Sequence, residues 1–72
     1  MFNKYKNNEF VIVTGIGKCN GQKYINCVGR VICRDPFFLD YNIEFIDGTE
    51  DWLDEKYLTK FKGVDGNESN IY

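Results

Sequence analysis

Two acidic pairs, Glu50-Asp51 and Asp54-Glu55, are the first residues in this chain whose types could do chemistry. Paired carboxylates can act as general acid and base when both face one substrate. Neighbours on a strand point to opposite faces, so these pairs read as a solvated acidic rim. The chain has no histidine, and the common general base near neutral pH is therefore missing. Cys19, Cys27 and Cys33 are odd in number and form no Cys-x-x-Cys. They read as reduced core thiols rather than disulfides or zinc ligands. No partner that would activate a cysteine nucleophile is apparent. Gly15, Gly17 and Gly21 sketch a phosphate-type loop, but such loops open a helix whose amides hold the phosphate. The residues that follow here are strand-like, so a long connecting loop is expected. No enzyme, metal or cofactor is expected.

The stretch that organises the chain runs from Leu39 to Leu58. Tyr41, Ile43 and Phe45 alternate with Asn42, Glu44 and Ile46, the period of a strand with one buried face. Asp47-Gly48 supplies a tight hairpin turn. With a two-residue turn, Ile46 faces Thr49, Ile43 faces Trp52, and Trp52 lies inside. A bulge would flip it to the outside. Residues 54–58 lose the alternation and read as one short helical turn.

Upstream, Glu9 to Thr14 reads as a strand, and Tyr24 to Arg34 as the longest strand, with Ile25, Cys27, Gly29, Val31 and Cys33 on one apolar face. Asp35-Pro36-Phe37-Phe38 is a turn, because proline ends the ladder. Antiparallel pairing at positions summing to 74 sets Arg34 against Asp40, Arg30 against Glu44, Val28 against Ile46 and Val31 against Ile43, with Phe45 over Gly29. Charges and apolar groups match at each pair. Tyr57 to Lys62 supplies the last short strand. Residues 1–62 thus make one domain, with 1–8 an arm or edge strand and 63–72 a flexible tail.

This pattern predicts an all-β fold, a five-stranded SH3-like barrel with a short helical turn before the last strand. Gly29-Arg30-Val31, then Tyr41 to Thr49, then Trp52 to Leu58 resemble the Gly-x-Val, Tyr-x-Val-x-Phe-x-Asp-Gly and Trp-x-x-Glu-x-x-Leu pattern of small SH3-like barrels of the Tudor and KOW kind. The likeness covers roughly residues 9 to 62. It implies a binding module, since such barrels bind methylated peptides, RNA or other proteins. In Tudor-type members an aromatic cage does the binding; the corresponding positions here are Trp52, Tyr41 and one of Phe37 and Phe38.

Charge is uneven. Residues 1–34 carry six Lys and Arg against one carboxylate, residues 35–55 carry eight carboxylates and no base, and residues 56–72 carry three Lys against two carboxylates, for a total of −2. Two binding readings follow. In the first, a protein partner is captured through exposed aromatics, with Trp52, Tyr41, Phe37, Phe38 and Tyr24 as candidates and an acidic rim of Asp47, Glu50, Asp51, Asp54 and Glu55. In the second, the 35–55 block presents a negative surface to a basic nucleic-acid-binding protein, as a phage- or plasmid-type inhibitor would. Direct RNA or single-stranded DNA binding ranks third, because an acidic chain lacks the usual basic footprint. No signal peptide and no membrane-spanning run is read, so a cytoplasmic protein is expected. An exposed edge strand would allow a homodimer.

Overall fold

The structure is a computed structural model, and it describes residues 4–62. The tail expected at 63–72 lies outside the described residues. The chain forms one antiparallel sheet of five strands: β1 Phe10–Val13, β2 Val28–Arg34, β3 Asp40–Glu44, β4 Glu50–Asp54 and β5 Leu58–Lys60. The spatial order is β4-β3-β2-β1-β5. A single 3₁₀ turn, Glu55–Tyr57, separates β4 from β5, where the alternation fails in sequence. Asp54 caps that turn, its side chain accepting from Lys56 N.

The inner faces of the strands close over one core. Val11 and Val13 of β1, Val31 of β2, Tyr41 and Ile43 of β3, Leu53 of β4 and Leu58 of β5 are all buried. The core also takes Tyr5 from the segment before β1, and its hydroxyl donates to Leu58 O at 2.9 Å. The described part of the N-terminal arm is therefore a packed strap rather than a strand.

The β2–β3 register agrees with expectation for Arg30 against Glu44 and Val31 against Ile43. Phe45 also lies over Gly29: a Cβ there would sit 3.1 Å from the Phe45 ring and 2.3 Å from Ile43 Cγ2. Gly29→Ala is therefore expected to cost about 1–3 kcal/mol through overpacking. For a domain of this size that lowers Tm by roughly 5 °C or more. An unchanged melting curve would show that the strands can separate there at no cost.

Beyond Val31 a β-bulge shifts the register, so that Cys33 faces Asn42 and Arg34 faces Tyr41. The expected pairing of Arg34 with Asp40 is thereby lost, since one extra residue on one strand displaces every later pair. Asp40 meets Lys18 instead. Val28 does not face Ile46 either. It pairs with Ile12 of β1, and Ile46 is exposed in the next turn.

The β3–β4 turn has three residues, Ile46-Asp47-Gly48, rather than two. Phe45 N donates to Thr49 O at 2.8 Å, Gly48 N donates to Phe45 O at 2.9 Å, and Gly48 sits at φ 87°. Three-residue hairpins place a residue in this left-handed region, where glycine is unstrained. The longer turn moves β4 by one position. Ile43 now faces Asp51 and Asn42 faces Trp52, so Asp51 and Leu53 point inward and Trp52 outward.

β2 starts at Val28, four residues later than expected. Asn26 adopts φ 74°, its N–H donates to Val13 O at 2.7 Å, and Cys27 N donates to Tyr24 O at 2.9 Å. This turn swings Tyr24 off the sheet and into the core, where its ring stacks on Phe45 with centroids 4.0 Å apart.

Candidate partner-binding surface

The surface is built at the β2–β3 turn. Asp35 holds the turn from inside its own chain: Oδ1 accepts from Phe37 N at 2.7 Å and from Phe38 N at 3.2 Å. This is the usual work of an Asp at the start of a turn. Asp35 N donates to Asp40 O at 2.9 Å, and Glu55 N donates to Leu39 O at 2.7 Å. The backbone is thus tied to β3 on one side and to the 3₁₀ turn on the other. The side chains it carries are not buried. Phe37 is 86% exposed, Phe38 64% and Leu39 52%. A single exposed apolar residue is ordinary, whereas three in succession on a held turn make a patch.

Carboxylates border the same end of the sheet. Asp40 and Asp54 face each other across the β3–β4 ladder, and Lys18 reaches over from the β1–β2 loop to pair with Asp40. The hydrogen bond to Asp40 raises the Lys18 ammonium above its ordinary value, with smaller help from the charges of Asp54 and Asp35.

The structure brings together only some of the residues picked out in sequence. Phe37 and Phe38 form the tip, and Leu39 joins them. Tyr41 is fully buried, and its hydroxyl accepts from Lys4 N at 2.9 Å and Tyr5 N at 3.2 Å. Tyr24 is buried as well. Neither is a surface aromatic, because the turn at Asn26 and the inner-face position on β3 draw each ring into the core. Trp52 is half-buried on the opposite face of the sheet from Tyr41. With the Asn42 amide oriented to satisfy both its groups, its oxygen accepts from Trp52 Nε1 at 3.3 Å and its nitrogen donates to Glu50 Oε1 at 3.2 Å. Tyr41 and Trp52 therefore cannot form one cage, since successive faces of a sheet point apart.

The acidic block is divided. Asp51, expected on the rim, is 2% exposed and faces inward because of the three-residue turn. Its carboxylate is wrapped by the glycine loop: Oδ1 accepts from Cys19 N at 2.7 Å and Oδ2 from Asn20 N at 3.1 Å. Gly17 and Gly21 bridge beneath it, and a Cβ on Gly17 would come within 1.8 Å of Asp51 Oδ2. The loop does cradle an anion, but the anion is the protein's own. Cys19 is accordingly exposed at the loop tip rather than a core thiol, while Cys27 and Cys33 are partly buried. The same loop covers the outer edge of β4, Lys18 N donating to Trp52 O at 3.0 Å.

The other acids have separate duties. Asp47 is exposed, and its carboxylate accepts from the Tyr24 hydroxyl at 2.7 Å and from Thr49 N at 2.9 Å. These bonds, the tyrosine's first, hold its pKa below the ordinary value. Their stabilising effect is present above the unfolded carboxyl range and is lost as pH falls through the folded value. Glu44 pairs with Arg30, and Asp54 caps the 3₁₀ turn. Glu50 is exposed beside Asn42, and Glu55 is half-buried within the 3₁₀ turn.

Sequence reasoning placed Ile46 on the outer face, where it is found, but missed Leu39 as an exposed residue and Asp51 as a buried one. Pro36 followed by three apolar residues was the available signal for the tip, because a turn has no inner face on which to bury them. Among the described residues no group of three or more His, Cys, Asp or Glu is arranged to hold a metal ion, and no helix is long and apolar enough to cross a membrane. Comparisons with models of known families, with curated proteins and with solved structures return no match.

Proposed function

We propose that this chain is an SH3-like barrel acting as a small, non-enzymatic protein-binding module, and that it seats the Phe37-Phe38-Leu39 tip in an apolar groove of its partner. The strand order and the 3₁₀ turn before β5 support the barrel reading. One observation carries the binding reading: three consecutive apolar side chains stand in solvent on a turn whose backbone is pinned by Asp35, Asp40 and Glu55. A rigid tip loses little entropy on docking, which favours affinity. Burying one phenylalanine contributes about 1.5–3 kcal/mol, so the two together supply roughly a hundredfold or more in Kd. Asp54 and Glu55 lie beside the tip and form the polar rim.

Presentation of the whole 35–55 block as one acidic face has less support. Asp40 is occupied by Lys18, Glu44 by Arg30, and Asp51 by the glycine loop. The test is affinity capture from a lysate of the source cells, with and without nuclease, using wild type and the Phe37→Ser/Phe38→Ser double variant. Both side chains project into solvent, so the variant is expected to keep the wild-type melting curve. Captured protein should survive nuclease and fall at least tenfold with the variant. Equal capture by the folded variant would remove the tip from the binding surface.

A further inference from the structure

A second surface, formed where the N-terminal strap meets β5, has the chemistry of an anion site. Residues 6–9 form a closed turn. Glu9 N donates to Lys6 O at 3.1 Å, and Glu9 Oε1 accepts in return from Lys6 N at 2.9 Å. Asn8 occupies φ 73°, a conformation asparagine tolerates better than most residues, and its N–H donates to Val31 O at 2.6 Å. Lys4 is fixed just upstream, because the next residue, Tyr5, is buried and bonded to Leu58 O. Lys60 enters from β5, its Nζ 3.3 Å from Glu9 Oε2.

These elements enclose an open concavity of about 400 Å³ lined by Lys4, Lys6, Asn7, Asn8, Glu9 and Lys60. Three lysines thus line one hollow with a single carboxylate. That carboxylate is already committed, one oxygen to the Lys6 amide and the other to Lys60. The bond from Lys6 N, followed by the proximity of Lys60, holds the Glu9 carboxyl below its ordinary pKa, so it remains a fixed anion. Among the described residues Lys4 and Lys6 meet no carboxylate at ion-pair distance. Lys4 Nζ lies 5.6 Å from the Tyr5 ring centroid, and elsewhere in the fold Lys18 is held by Asp40 while Lys23 and Lys56 likewise lie over tyrosine rings. In a chain of net charge −2, this hollow is where three lysines gather around one carboxylate on hydrogen-bonded backbone.

We propose that the Lys4–Lys6–Lys60 hollow binds phosphate groups, with the two lysines of the strap and the one of β5 serving as point-charge donors. Lysine suits this role, since its ammonium offers three donors without demanding planar geometry. The site is separate from the Phe37–Leu39 tip, and the two can fail independently. Glu9 acts as a brake, because its charge offsets one ammonium and repels the ligand.

The test is a titration of the full chain, followed by backbone amide shifts, first with inorganic pyrophosphate and then with a single-stranded oligonucleotide at equal phosphate concentration. Saturable shifts should centre on residues 6–9 and 60. Lys6→Gln/Lys60→Gln should weaken binding at least tenfold at low salt. Glu9→Gln keeps the acceptor for the Lys6 amide while removing the charge, and should tighten binding severalfold. Tighter binding to the oligonucleotide, growing with its length, would identify the phosphates of a nucleic-acid strand as the ligand. Tighter binding to pyrophosphate would identify a free phosphate compound. Absence of saturable shifts, shifts spread equally over Lys18, Lys23 and Lys56, or indifference to Glu9→Gln in a folded protein would each overturn the site.

Discussion

Tyr41→Ala is expected to remove about half or more of the stability of the fold. The ring is fully buried and meets Tyr5 edge-on, with centroids 5.4 Å apart. Deleting a buried aromatic side chain costs about 3–5 kcal/mol. Its hydroxyl also accepts from the amides of Lys4 and Tyr5, and it thereby ties the strap to the sheet. Losing that tie adds roughly 1 kcal/mol or more. A chain of this length has about 4–10 kcal/mol in total, so the substitution removes half or more of it. Tyr41→Phe keeps the ring and should cost only roughly 1–2 kcal/mol. Urea denaturation of the three proteins measures both effects. A Tyr41→Ala protein that stayed fully stable but lost partner capture would return Tyr41 to the binding surface.

Asp51→Ala is the second large effect. Its carboxylate is the internal partner of the 17–21 loop, whose Cys19 and Asn20 amides donate to it, and it also accepts from Trp52 N at 2.7 Å. Hydrogen bonds to a charged group contribute roughly 1.5–3 kcal/mol each, although partial solvent access at this loop lets water replace some of that. A net loss of about 2–4 kcal/mol is expected, and it should be local in its first consequences. Amide exchange at Cys19 and Asn20 should accelerate before that of β2 and β3. The edge bond from Lys18 N to Trp52 O should weaken with it. Asp51→Asn retains one acceptor oxygen and should fall between wild type and alanine. Unchanged exchange at Cys19 and Asn20 would mean that the loop holds its shape without the carboxylate.

The legible part of this fold was what depends on period and charge. β-branched and alternating runs located all five strands, and the pairs Arg30–Glu44 and Val31–Ile43 followed from matching chemistry on both strands. Gly29 under Phe45 followed from the same register. What failed was what depends on one residue more or less. Asp47-Gly48 is compatible with a two-residue or a three-residue loop, and both put glycine last and in the left-handed region, so residue type does not choose between them. That single step exchanged Trp52 for Asp51 on the inner face. The bulge after Val31 did the same to Arg34 and Asp40, and no residue type marked it. Tyr24 was misplaced because Asn26 can enter the left-handed region without glycine, which makes the strand start late. For the candidate site, Phe37 and Phe38 were legible from Asp35-Pro36, whereas Tyr41, Trp52 and Tyr24 depended on registers that sequence did not determine.

The most direct test of the central proposal places a photoreactive phenylalanine analogue at position 38 and, in a second protein, at position 46. Both sites are exposed, at 64% and 71%, and both lie on turns. A tip that docks in a partner's groove predicts a discrete crosslinked protein from position 38, resistant to nuclease, and little or none from position 46. Equal crosslinking from both positions, or a product from position 46 alone, would contradict the proposal that Phe37, Phe38 and Leu39 form the contact.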